Sequence, residues 1–181
     1  MNPSIQVYWS FAGPINEPAA ERFVKQLPFM MQMPVDAVHH ISLQTSGGTI
    51  GDGIWLFNFL KSFPRALKVY NAGTVASIGT IAYLGAPRRL ASAHAAFMIH
   101  RSSYTALPAN AVHLADGARI LAMEDQRTET ILRDQVRLTA SQWAAIDRHE
   151  LWLTAQEAVS SGLAHEICEF TPPAGGTVLM I

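Results

Sequence analysis

Short apolar runs alternate along this chain with longer stretches in which apolar residues recur at helical spacing. The short runs predict β-strands and the longer stretches predict α-helices. The predicted strands are residues 5–9, 38–43, 67–70, 88–91, 96–99 and 164–170. The predicted helices are residues 16–27, 52–60, 77–84 and 109–137, followed by two more that begin at the capping-box residues Thr139 and Thr154.

An alternation of this kind is typical of βαβ units and predicts an α/β fold built on a parallel sheet. The chain has 181 residues, which suits one domain, and we expect residues 1–181 to form it. Functional groups in parallel sheets gather at the carboxyl ends of the strands. Three candidate features come after predicted strand ends: the loop containing Gly47 and Gly48, then Ser77, and then His100.

The combination of Ser77 and His100 indicates nucleophilic catalysis. Ser77 is surrounded by small residues at a predicted strand-to-helix turn, where its hydroxyl is exposed, and His100 ends a short apolar strand. A serine hydroxyl is a weak nucleophile until a base takes its proton, and histidine is suited to that task. The two glycines leave a backbone amide uncovered, and such an amide can stabilise an oxyanion.

Four motifs together resemble those of the Clp-type serine peptidases, a family related to the crotonase superfamily. Residues 46–48 are similar to its Ser-Pro-Gly-Gly loop, although the proline is missing here, and residues 73–79 are similar to its nucleophile motif. The Met-Ile-His sequence ending at His100 and the Trp-Leu-Thr-Ala-Gln-Glu-Ala sequence of residues 152–158 complete the resemblance, which extends from about residue 5 to residue 167.

The resemblance implies a ClpP/crotonase-like fold of repeated βαβ units with a long oligomerisation helix after the histidine. It implies that Ser77 is the nucleophile and His100 the general base, and that the backbone amides of Gly48 and Ile78 form the oxyanion hole. Asp147 is the matching third member of the triad. Its spacing to the following motif is one residue shorter than in the family, so Glu150, or no acid at all, remains an alternative.

The expected activity is serine-type endopeptidase cleavage of unfolded polypeptides or short peptides, with neither a metal nor an organic cofactor. The resemblance implies a homo-oligomeric ring, single or as two stacked rings. The family's loops for an ATP-driven unfoldase precede the first strand, and only four residues precede Ile5, which argues against that partner. The alternatives are a crotonase-type acyl-CoA hydratase or isomerase, which usually has glutamates in its site, and a non-catalytic ring subunit.

Composition narrows the remaining function classes. The net charge is −1 and no basic cluster occurs, so nucleic-acid binding is not expected. No apolar run is long enough for a membrane span and no signal peptide is visible, so we expect a cytoplasmic protein. Charged residues make up only 15% of the chain. This low fraction has two explanations: part of the surface is buried in an oligomer, or the chain is simply rich in alanine.

Adjacent His39 and His40 lie in a predicted strand and point to opposite faces, so they are expected to be structural.

Overall fold

The computed structural model describes residues 5–103 and 110–181, and its centre is a sheet of eight strands among those residues. The strands are β1 (Gln6–Ala12), β2 (Val38–Thr45), β3 (Ala66–Ala76), β4 (Arg88–Ala91), β5 (Ala96–Ile99), β6 (Leu151–Thr154), β7 (Glu166–Ile167) and β8 (Val178–Met180). The helices are α1 (Glu17–Gln32), α2 (Ile50–Ser62), α3 (Ile78–Leu84), α4 (Ala111–Gln135), α5 (Ala140–Arg148) and α6 (Ala155–Ser160). The prediction of an α/β fold is confirmed.

The sheet divides at strand β3. Its main path runs β6-β5-β3-β2-β1-β8, while β4 pairs with β3 and β7 pairs with β4. The first part of β3 lies between β2 and β4, whereas its last residues, Thr74 to Ala76, pair with β5. The pairs are parallel, as expected, except that β5 and β6 are antiparallel. The carboxyl ends of β3 and β5 therefore meet at one edge.

Strand β3 is much longer than the predicted residues 67–70. Asn71 and Gly73 interrupt its apolar pattern and favour a turn by their type. In the structure, the Asn71 side chain is fully buried; its amide donates to the carbonyl of Ala96 at 2.8 Å and its oxygen accepts from the N–H of Gly73 at 3.0 Å. The bond to strand β5 and the local bond to Gly73 let the chain stay extended as it changes partners.

Helix α1 does not end before Pro28 as predicted but continues through it to Gln32. Proline removes one backbone hydrogen bond from a helix interior and usually interrupts it. Here the apolar stripe continues past the proline, because Met30 is buried together with Ala19 and Phe23. Tertiary packing of that stripe outweighs the local preference to stop.

The C-terminal third also differs from the sequence prediction. The predicted strand at residues 164–170 shrinks to β7, and strands β6 and β8 were not predicted. All three are short, and β6 and β8 lie at the two ends of the main sheet path, where few residues pair. Residue 109, the first residue of the predicted helix 109–137, lies outside the described residues.

Helix α4 is only partly packed within the chain. Leu132 is buried, and Val136 is buried directly after the helix, as the helical spacing predicts. Four large apolar residues nearer its start are about half exposed or more: Val112, Leu114, Ile120 and Met123. No helix in the described part of the chain is long and apolar enough to cross a membrane.

His39 and His40 point to opposite faces of strand β2 and are both buried. His39 accepts a hydrogen bond from the Trp9 indole at 3.1 Å, while His40 contacts the Tyr70 hydroxyl at 2.8 Å. Burial lowers the pKa of His40 to about 4 and raises the pKa of Tyr70 to about 12. Both side chains of the His40–Tyr70 pair are therefore neutral near pH 7, which suits a packing role.

Arg89 on strand β4 is a buried cation surrounded by acceptors. Only 8% of the residue is exposed, and burial lowers the pKa of its guanidinium. It donates hydrogen bonds of 2.8 to 3.4 Å to the side-chain oxygen of Gln135 and to four backbone carbonyls. These carbonyls belong to Leu84, Ala86, Gly162 and Leu163. The side chain thereby connects residues at the ends of helices α3 and α4 with the segment that follows helix α6.

Replacing Arg89 by methionine should lower the free energy of unfolding by about 2–4 kcal/mol, because several buried carbonyls lose their donors. Arg88→Met is the matched control: its side chain is 45% exposed and pairs with Glu166 at the surface, so the change should be within about 1 kcal/mol. Urea unfolding of the two variants measures the difference. Equal losses would contradict a special role for the Arg89 contacts.

Candidate active site

The backbone of Ser77 has an uncommon conformation. Its φ is 57° and its ψ is −132°, and it is the one non-glycine residue with positive φ in the described part of the chain. It stands between the end of strand β3 and the start of helix α3. A sharp turn of this kind at a strand end lifts the side chain out of the sheet and exposes its hydroxyl.

Two hydrogen-bond donors hold this turn in place. The N–H of Ser77 donates to the carbonyl of Met98 on strand β5 at 2.8 Å. The buried hydroxyl of Thr80 lies 3.0 Å from the same carbonyl oxygen and 3.1 Å from that of Val75. The turn is therefore fixed to both strands that meet at this edge.

His100 directly follows strand β5 and faces the serine. Parallel pairing sets Ala76 opposite Met98, so Ser77 lies beside the end of β5. The Oγ of Ser77 is 2.7 Å from the Nε2 of His100, within hydrogen-bonding distance, and both residues are half-buried. The structure thus brings together the two residues that the sequence singled out as nucleophile and base.

The glycine loop lies against the serine from the side of strand β2. The N–H of Ile15 donates to the carbonyl of Gly47 at 2.9 Å, and the N–H of Thr49 donates to the carbonyl of Ile15 at 2.8 Å. A Cβ on Gly47 would lie 2.6 Å from the Cβ of Ser77, and one on Gly48 would lie 2.0 Å from the carbonyl oxygen of Ile15. No side chain fits at either position.

Two backbone N–H groups at this edge are left without an acceptor among the described residues. One belongs to Gly48, between the two bonded residues Gly47 and Thr49, and the other to Ile78, the first residue of helix α3. Unpaired amides at the start of a helix are ordinary, because no preceding turn supplies a carbonyl. Both amides belong to residues lining the same cleft as Ser77 and His100.

The cleft is formed by the strand ends, helix α3 and the covering helix α4. Apolar side chains from α2, α3 and α4 line it together with the segment that follows His100. Its lining residues are Gly48, Ile50, Ser77, Ile78, Ile81, His100, Arg101, Ser102, Ser103, Thr128 and Leu132. Neither a glutamate nor an aspartate is among them, and no group of His, Cys, Asp and Glu in the described residues is arranged to hold a metal ion.

The two candidate acids have other partners. Asp147, on helix α5, accepts hydrogen bonds at its Oδ1 from the Nε of Arg101 at 2.9 Å and from the Nη2 at 2.6 Å. Glu150 accepts from the indole of Trp152 at 3.0 Å. The structure therefore brings Asp147 to the residue next to His100, but it shows no hydrogen bond from the imidazole to either acid.

Sequence reasoning missed the charged residues that hold the segment after His100. The Nη1 of Arg101 donates to Glu129 of helix α4 at 2.5 Å, and the N–H of Ser102 donates to Asp125 of the same helix at 2.7 Å. Hydrogen bonds from Arg101 and Arg133 lower the pKa of Glu129 and keep it ionised. The available signal was the four-residue spacing of Asp125, Glu129 and Arg133, which places them on one helix face.

Comparisons with known proteins agree with this architecture. A model of the Clp protease family matches residues 7–171. The ATP-dependent Clp protease proteolytic subunit 2 of Pseudomonas aeruginosa is 24% identical over 157 residues, which cover 86% of this chain and 77% of that protein. The corresponding subunit of Streptococcus gordonii is 28% identical over 161 residues, covering 86% and 81%.

A solved structure of a ClpP1 mutant from Listeria monocytogenes superposes with a TM-score of 0.74 at 25% identity, covering 92% of this chain and 91% of that one. The chain belongs to the Clp protease family. It is a serine-type endopeptidase of that family, and the resemblance inferred from its motifs is confirmed. The acyl-CoA hydratase and the non-catalytic subunit that the sequence left open are thereby set aside.

The crowding at Gly48 generates a prediction for the site. Gly48→Ala should displace the loop, because its Cβ would overlap the Ile15 carbonyl, and should slow labelling of the serine by a fluorophosphonate on the order of 100-fold if the Gly48 amide contacts the oxyanion. Gly51→Ala is the matched control, since a Cβ there meets nothing within 4 Å. Labelling of the Gly48 variant at the unaltered rate, with the fold intact by circular dichroism, would contradict the role of this amide.

Proposed function

We propose that this protein hydrolyses peptide bonds with Ser77 as the nucleophile and His100 as the general base. The observation that carries the proposal is the 2.7 Å contact between the serine Oγ and the imidazole Nε2. Since Nε2 faces the hydroxyl, the imidazole can take its proton as the oxygen attacks. The turn at Ser77 supports the proposal, because it presents the hydroxyl at a cleft.

The reaction follows from this arrangement in two stages. The Ser77 oxygen bonds to the scissile carbonyl carbon while its proton moves to Nε2, and the carbonyl oxygen becomes an oxyanion. The N–H groups of Gly48 and Ile78 donate to that oxyanion, since neither has an acceptor among the described residues. Collapse of the intermediate breaks the C–N bond and the imidazolium gives its proton to the leaving amine. Water then attacks the acyl-enzyme in the same way, and the acid product leaves.

Asp147 is the proposed third member of the triad. An acid is needed to orient the imidazole and to stabilise its charged form. Asp147 supports this role because its carboxylate lies at the side chain of Arg101, the residue that follows His100. Glu150 is the alternative acid; it accepts a hydrogen bond from the indole of Trp152.

The proposed substrates are unfolded polypeptides and short peptides. A peptide binds in extended form beside the site, held by main-chain hydrogen bonds, because only an extended chain presents its carbonyl to a nucleophile at a sheet edge. The relatives are named proteolytic subunits, which supports a peptide rather than a thioester substrate.

We further propose that the chain works as a ring, single or as two stacked rings. Two observations support assembly: the relatives are called subunits, and helix α4 exposes Val112, Leu114, Ile120 and Met123 in the single chain. Exposed apolar residues on one helix mark an interaction surface. The relatives are also named ATP-dependent, and these names favour an ATP-driven unfoldase as the partner. The short segment before Ile5 had led to the opposite expectation.

The nucleophile is tested by covalent labelling. Ser77→Ala should abolish labelling by a fluorophosphonate and hydrolysis of a fluorogenic peptide, because the attacking oxygen is gone. Ser103→Ala, which removes another hydroxyl from the same cleft, should still be labelled. Mass spectrometry of the labelled peptide identifies the site, and adduct on any serine other than Ser77 would overturn the proposal.

The acid is tested by two isosteric changes. Asp147→Asn should lower kcat by up to about 10⁴-fold, as the corresponding change does in a serine protease triad, because the asparagine favours the wrong imidazole tautomer. Glu150→Gln should leave kcat within about threefold, since its carboxylate serves Trp152. Peptide hydrolysis at saturating substrate measures both. A larger loss for the Glu150 variant would exchange the two assignments.

A further inference from the structure

The side chain of His39, on strand β2, is hydrogen-bonded to a side chain of strand β1. The residue is fully buried, and its Nδ1 lies 3.1 Å from the indole Nε1 of Trp9. An indole N–H can only donate, so Nδ1 is the acceptor and the single ring proton of the neutral imidazole is on Nε2. The contact with Trp9 therefore requires one tautomer of an uncharged ring.

A second proton on this ring finds no acceptor. On Nδ1 it would face the Trp9 N–H, so that two donors meet and the hydrogen bond is lost. Nε2 already carries its hydrogen, and this buried atom has no hydrogen-bond partner among the described residues. A buried charge whose N–H groups are unpaired is strongly disfavoured.

The surroundings of His39 also disfavour a positive charge. Its aromatic neighbours are Trp9 of strand β1 and Phe63, which follows helix α2, with ring centroids 6.1 and 5.4 Å away. Burial, and next the positive charge of Arg65 just before strand β3, lower the pKa of His39. His40 points to the other face of the strand, and no carboxylate in the described part of the chain acts on the His39 ring.

Strand β1 connects this contact to two other parts of the molecule. Within the described residues, strand β8 has β1 as its one partner strand. Beyond its carboxyl end, β1 leads to Ile15, whose N–H and carbonyl are bonded to Gly47 and Thr49 of the glycine loop. A displacement of β1 would therefore affect an edge strand and the loop beside Ser77.

We propose that His39 is an acid-sensitive link between strands β1 and β2. The neutral ring accepts from Trp9 and holds β1 against the sheet. Protonation of Nδ1 breaks this hydrogen bond and loosens β1 together with β8. The link is a property of the fold, so it does not depend on Ser77 being the nucleophile.

The link gives stability a definite dependence on pH. The folded protein binds fewer protons at His39 than the unfolded chain does, so stability is highest above the ordinary histidine pKa of 6.5 and falls as the pH drops below it. A single histidine that stays neutral in the folded protein should raise the equilibrium constant for unfolding about 25-fold between pH 7 and pH 5.

Urea unfolding at pH 7 and at pH 5 tests the proposal. His39→Asn does not titrate and retains a side-chain oxygen that can accept from Trp9, so its ratio of unfolding constants at the two pH values should be about 20-fold smaller than that of the unaltered protein. His113→Asn is the matched control, because it removes an exposed histidine of helix α4, and its ratio should stay within about twofold of the unaltered value. The ratio cancels any loss of stability that is the same at both pH values. An unchanged ratio in His39→Asn would overturn the proposal.

Nitrogen-15 NMR of the histidine-labelled protein observes the proton directly and requires no turnover. The His39 ring should remain the Nε2–H tautomer down to about pH 5, and the Trp9 indole signal should leave its pH 7 position only when that ring is protonated. Trp9→Phe removes the donor facing Nδ1, so His39 should take up its proton at a higher pH in this variant. Titration of His39 near pH 6.5 in the unaltered folded protein, or no shift in Trp9→Phe, would end the proposal and leave the Ser77 labelling result intact.

Discussion

The positive φ of Ser77 is the constraint on which the rest of the site depends. A non-glycine residue in such a conformation costs roughly 1–3 kcal/mol and persists only where its surroundings over-determine it. Here the Ser77 N–H is bound by the Met98 carbonyl, and the Thr80 hydroxyl is fixed to the same acceptor. The pairing of β3 with β5 thus holds the strained turn, and the turn in turn aims the Ser77 hydroxyl at His100.

The same constraint explains the glycine pair on the neighbouring strand. The turn brings the Ser77 side chain so close to the β2 loop that a Cβ on Gly47 would lie 2.6 Å from that of the serine. Gly47 also has a φ of 98°, which disfavours any other residue. Gly47 and Ser77 therefore form a single packing unit, although they come from two different strand ends. The close packing of the two loops therefore requires small residues beside the serine, in addition to any need to keep its hydroxyl accessible.

The sequence predicts those features whose signals are local. Helix caps at Thr139 and Thr154 are found as expected, because each depends on residues within one turn. The grouping of Ser77, His100 and the glycine loop follows from their places at the ends of parallel strands. Helix α1 passes through Pro28 for a reason that no local pattern contains: the buried position of Met30 against the rest of the core.

The partner of Asp147 is a second feature that sequence could not supply. The resemblance implies an acid near the histidine, but which side chain binds the Asp147 carboxylate depends on where α4 and α5 lie relative to residue 101. A charged side chain next to His100 was visible in the sequence, yet its direction toward Glu129 and Asp147 was not.

Three histidines of this chain show that environment, rather than residue type, decides which can serve as a base. Burial lowers the pKa of His39 and takes that of His40 to about 4, and their Nδ1 atoms contact the Trp9 indole and the Tyr70 hydroxyl. Both lie within the pairing region of strand β2. His100 is half-buried one residue beyond its strand, where the ring reaches a cleft. The edge of the sheet thus separates a histidine available for proton transfer from two that only pack.

Helix α4 connects the site to the exposed surface of the chain. Its carboxylates at positions 125 and 129 hold the backbone of Ser102 and the side chain of Arg101, so they fix the segment that leaves His100. Toward its other end, the same helix carries apolar residues that the single chain leaves uncovered. A helix is stiff along its axis, and carboxylates one turn apart lie on one face. The helix that carries the uncovered apolar residues is therefore the same helix whose Glu129 binds the Arg101 guanidinium.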